Sequence, residues 1–103
     1  MEKQIEQWIA KACRTASYFR LGQEGEASAL LTSCIDDLFL LLKFTELQPL
    51  LSNSTFQDIA AEIIQAQQAR NNLRIADALE YELPRLLKPQ HSNPKTVQNN
   101  VIS

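Results

Sequence analysis

Apolar residues recur every three or four positions through most of the first 88 residues of this chain, with few residues between them able to stop a helix. A strand would show alternation at every second residue, so this spacing demands α-helices. The breakers are two glycines, Gly22 and Gly25, and four prolines, Pro49, Pro84, Pro89 and Pro94. They divide the chain into four helical stretches. Helix one is expected over Glu2 to Arg20, with Ile5, Trp8, Ile9, Ala12, Cys13, Ala16 and Phe19 on one face. Leu21 to Gly25 makes a tight turn, in which glycine supplies the left-handed residue that ends a helix. Helix two follows over Glu26 to Phe44, on the stripe Ala27, Leu30, Leu31, Cys34, Ile35, Leu38, Leu41 and Leu42. Thr45 to Asn53 is a longer link blocked by Pro49, and Leu47, Leu50 and Leu51 are expected to pack it down.

Ser54-Thr55-Phe56-Gln57 reads as a capping box that opens helix three, which runs to Gln68 with Phe56, Ile59, Ala60, Ile63 and Ile64 inward. Asn71-Asn72 breaks the chain again and caps helix four, where Ile75, Ala76, Leu79, Leu83, Leu86 and Leu87 face the core. Pro84 removes one ladder bond and should kink or split that helix near Leu83. The expectation is an all-α fold: an antiparallel four-helix bundle of two helical hairpins over 1–88, with a disordered, flexible tail over 89–103.

Leu38-Phe39-Leu40-Leu41-Leu42 departs from the one-sided pattern. Leu38, Leu41 and Leu42 belong to the stripe of helix two. Phe39 and Leu40 fall outside it and need cover from helix four, from the Leu47–Leu51 link or from another molecule. They are the first candidates for partner binding.

A chain of 103 residues buries only ~65% of its unfolded surface, so dimerisation would add to a thin stability margin. Its net charge is −2, with Lys and Arg scattered among acids, which argues against a nucleic-acid partner. The leucine run is far shorter than the ~20 residues a membrane span needs, and charges throughout residues 1–20 leave no signal peptide. The two cysteines, Cys13 and Cys34, suit a reducing, cytoplasmic setting. Both lie on inward stripes about ten residues from the intervening turn, at similar heights if the helices are antiparallel. They are either small buried hydrophobes or a redox pair.

No catalytic constellation is expected. The single histidine, His91, lies in the tail, so no serine or cysteine has a positioned base. Arg70 and Arg74 lack the nearby histidine of ribonuclease-type helical bundles. Glu62, Glu80 and Glu82 have no histidine beside them, so no metal or cofactor is expected. Asp36 and Asp37 point about 100° apart on a helix and form a wet face. In Ala76 to Leu83, Arg74 can reach Asp77, Glu80 or Tyr81 can bond across to another helix, and Tyr81 is a further candidate for partner contact. A faint echo links the halves: Gly22 precedes Ala27 by five residues, as Asn71 precedes Ala76.

Tyr18, Gly22, Ala27 and Leu31 stand at the spacing of the tetratricopeptide hairpin, without its Trp-Leu-Gly part and without a second copy at that period. Arg20-Leu21-Gly22 with Glu26-Ala27, and Ala76-Asp77 with Leu79-Glu80-Tyr81-Glu82-Leu83, resemble a group of uncharacterised small bacterial helical-bundle proteins. Their general shape is similar to that of flagellar and secretion export chaperones, which hold an amphipathic segment of a client in an apolar groove. Phe39, Leu40 and neighbouring apolar residues, carried on a rigid bundle, lead to the expectation of a non-enzymatic protein-interaction module of adaptor, chaperone or regulator type. It would self-associate, as a homodimer, or bind a partner helix. The alternatives are a small metal-dependent or carboxylate-based enzyme using Glu62, Glu80 and Tyr81, and a purely structural homodimer.

Overall fold

The computed structural model describes residues 2–88, and every regular element among them is helical. The expected tail over 89–103 and His91 lie outside the described residues. Helix α1 spans Glu2–Arg20 and α2 spans Glu24–Leu41. A 3-10 helix, Thr45–Ser52, leads into α3, Ser54–Gln68. The last run is α4, Asn72–Asp77, a π-helical turn, Ala78–Glu82, and α5, Leu83–Leu87.

α1 is the element around which the rest assembles. It packs along α2 on one side and along α4 and the π turn on another. Alanines let the backbones approach: Ala12, Ala16, Ala27, Ala76 and Ala78 are all fully buried. α3 packs on α4 and on the 3-10 helix, and less on the π turn and α5. The backbones of α2 and α3 stay apart along nearly all of their length.

Polar side chains pin α1 to α2. The buried Trp8 indole N–H donates to the Cys34 carbonyl at 2.8 Å. Thr15 gives its hydroxyl proton to the Lys11 carbonyl at 2.8 Å, and its oxygen lies 3.3 Å from the Cys34 sulfur. The Lys11 ammonium donates to the Ser33 hydroxyl and, at 2.8 Å, to the Asp37 carboxylate.

Helices α1 and α3 end in the same way. After α1, Gln23 N–H bonds Tyr18 O at 3.0 Å and Gly22 N–H bonds Phe19 O at 3.1 Å, with Gly22 at φ +79°. After α3, Asn71 N–H bonds Ala66 O at 2.8 Å and Arg70 N–H bonds Gln67 O at 3.2 Å, with Arg70 at φ +56°. Both are Schellman motifs, and the second places a β-carbon where glycine is preferred. The matching positions are Gly22 and Arg70, one residue off the echo in the sequence. Arg70→Gly should therefore raise stability by about 0.5–1 kcal/mol, read as a higher urea midpoint with unchanged slope. The exposed, 3.8 Å ion pair of Arg70 with Glu24 that it removes is worth little.

Several local expectations are corrected. α2 begins two residues early, placing Glu24 and Glu26 in its first turn, where acids interact favourably with the positive end of the helix dipole. It closes at Leu41, three residues short of the expected Phe44. The link is packed down as expected, a 3-10 helix around Pro49 burying Leu47 and Leu50, but Leu51 faces out. The cap of α3 is Asn53, whose side-chain oxygen accepts the Phe56 N–H at 2.9 Å. Gln57 does not reach back to the cap: it donates to the Leu51 carbonyl at 2.8 Å. Asn71 caps α4 as expected, accepting from Arg74 N–H at 3.2 Å.

Ahead of Pro84 the run changes from α to π and back at Leu83, with right-handed helical dihedrals kept at each join. The Leu83 N–H bonds Ala78 O, five residues back, so the backbone widens by one residue ahead of the proline. That turn makes room for the pyrrolidine ring and keeps Leu79, Leu83 and Leu87 in the core.

Candidate interaction surface

Phe39 and Leu40 are exposed by 61% and 58%, so neither the 3-10 helix nor the last helical run covers them. Standing about 100° apart on α2, they diverge. Leu40 leans toward α1, where it borders a shallow crevice of about 450 Å³ with Trp8, Lys11 and Phe44. Phe39 leans toward α3 and forms one lip of a second hollow.

That hollow is an apolar groove of about 160 Å³ between α2 and α3. Leu31, Ile35, Leu38 and Phe39 form one wall, and Phe56, Ala60, Ile63 and Ile64 form the other. Trp8, Leu79 and Leu83 supply its floor. It exists because α2 and α3 each pack inward, on α1 and on the last run respectively, with their backbones kept apart. Ile64, 56% exposed, is the opposite lip. The helical stripe assigned Ile64 and Ala60 inward, yet both are exposed where the second wall should have closed over them. Of the doublet Ile63-Ile64, about 100° apart on the helix, only Ile63 is buried.

Tyr81 does not join this surface. Its exposed ring lies 5.9 Å from the Arg20 guanidinium. Arg20 donates to Asp77 at 3.1 Å and to Glu80 at 2.9 Å, tying the end of α1 to α4 and the π turn. These bonds, to Glu80 first, push the guanidinium pKa still higher. Glu80 thus bonds across to another helix, as expected of Glu80 or Tyr81. The expected Arg74–Asp77 pair is replaced: Arg74 meets Glu82 through two bonds of 3.1 Å and also pairs with Glu62.

Cys13 and Cys34 are free thiols. Cys34 is buried against Thr15, while Cys13, about 200° from Thr15 around α1, is half-buried in the field of Glu80 and Lys88. The two sulfurs therefore occupy different seams. Burial pushes both thiols up, Cys34 against the opposing Thr15 hydrogen bond and Cys13 with help from the Glu80 charge. Both are held in the protonated, poorly nucleophilic form.

Among the described residues no group of three His, Cys, Asp or Glu side chains converges as a metal site, and no helix is long and apolar enough to cross a membrane. No protein-family model, curated protein or solved structure matches this chain.

Proposed function

We propose that this chain is a non-enzymatic interaction module of the adaptor, chaperone or regulator type, whose α2–α3 groove receives the apolar face of a helix. The helices are taken as two antiparallel hairpins of a four-helix bundle, opened on one side. The observation that carries the reading is the groove itself: a hollow onto which no polar surface opens, flanked by the exposed Phe39 and Ile64. Helix-in-groove recognition uses such a trough, filled by anchors at helical spacing. Its size fits a single anchor, since an engineered apolar cavity of ~150 Å³ accepts benzene. The alternative of a carboxylate-based enzyme finds its acids occupied, Glu62 and Glu82 by Arg74 and Glu80 by Arg20. Two free, protonated thiols suit a reducing, cytoplasmic setting.

A labelled, uncharged amphipathic helical peptide with Phe and Leu anchors is the probe. Fluorescence anisotropy at low protein concentration should give saturable binding, weakened about tenfold or more by Phe39→Ser with Ile64→Ser, at unchanged far-UV circular dichroism. Absence of binding, or binding indifferent to those changes, would dispose of the reading.

A further inference from the structure

We infer that the groove is covered by a second copy of this chain, packed antiparallel along α2 across a two-fold axis that passes between Phe39 and Leu40. This rests on the reading of the groove as a helix-binding surface and names its occupant.

The charge pattern along α2 selects the copy. Asp36 and Lys43 are exposed, and among the described residues neither makes a hydrogen bond or ion pair. They are seven residues apart, about two turns, with Asp36 on α2 and Lys43 in the turn that closes it. Lys43 lies in the turn that closes α2, its N–H bonding Leu40 O three residues back at 3.2 Å. The midpoint between this acid and this base falls between Phe39 and Leu40. Two copies of α2 laid antiparallel about that point bring Asp36 of each opposite Lys43 of the other, twice. An unrelated partner would have no reason to match that centring, whereas a two-fold contact is self-complementary by construction.

The same axis accounts for both exposed apolar residues, although they lean to opposite sides of α2. Leu40 meets Leu40 of the other copy on the α1 side. Phe39 meets its counterpart on the α3 side and stands over the facing groove. There the outer faces of the two α3 helices approach, and Gln57, Ala60, Ala61 and Ile64 bring no charge to repel one another. The acids of α3, Asp58 and Glu62, are turned away toward Arg74 and Arg85.

Sedimentation equilibrium of the full chain tests this. The wild type should be a dimer, and Asp36→Lys or Lys43→Asp alone should weaken it about tenfold by setting like charges opposite each other. The double variant, with both changes in one chain, should recover the wild-type association. An equimolar mixture of the single variants should form a mixed dimer even if each alone stays monomeric. Phe39→Ser with Leu40→Ser should be monomeric with helicity intact. A wild type still monomeric at roughly 1 mM overturns the self-association. If the helical peptide still binds that monomer through Phe39 and Ile64, the groove reading survives alone; if it does not, both fall. A dimer indifferent to the charge changes overturns the antiparallel register.

Discussion

Trp8→Ala should cost this protein about 3–5 kcal/mol, a large part of the ~5–15 kcal/mol a chain of this size has in total. Trp8 is 4% exposed, so the whole ring is lost from a filled space. It also carries the indole N–H that reaches the Cys34 carbonyl at 2.8 Å, so α1 loses both packing and a buried bond to α2. Trp8 forms part of the groove floor as well, and the hole it leaves opens outward. Trp8→Phe separates these contributions: it keeps most of the apolar surface and drops the donor, at about 1–2 kcal/mol. Thermal melting by circular dichroism is the measurement, with the alanine variant falling by at least ~10 °C and the phenylalanine variant by less. Equal losses would mean that the hydrogen bond, rather than the ring, holds α2 in place.

Leu79→Ala should cost about 2–5 kcal/mol for a different reason. Leu79 sits in the π turn, 1% exposed, and forms the groove floor from beneath. Truncation adds its cavity to the existing hollow of about 160 Å³, producing a deeper apolar pocket with a mouth. Benzene should then raise the melting temperature of the variant by more than that of the wild type, because a ligand that binds only the folded state stabilises it by mass action. A variant that is destabilised but insensitive to benzene would show that the turn collapses into the gap.

The apolar repeat made the helices legible because each face is set by local geometry. Phe39 and Leu40 stood out for the same reason: no single stripe on α2 could include them. What local pattern could not reveal was how far apart α2 and α3 stand. That separation depends on α1 and the last helical run, and it turned Ile64 and Ala60 outward against the stripe. The π turn was hidden because Pro84 is equally compatible with a kink, a break or a widened turn. Arg70 in a left-handed conformation was illegible too, since only the tertiary join of α3 to α4 makes the chain accept it. Arg74 chose Glu82 and Glu62 over Asp77 because Arg20, 57 positions earlier, already occupied Asp77.

The separation of the α2 and α3 backbones has a consequence for how the chain could be divided. The stretch from Thr45 onward carries its own link, α3 and last helical run, and meets the preceding part chiefly along α1. A cut after Phe44 would thus sever a peptide bond without opening a packed seam. The two fragments would each keep one side of the α1 contact, so the molecule has the makings of a split protein whose halves find each other through a single helix.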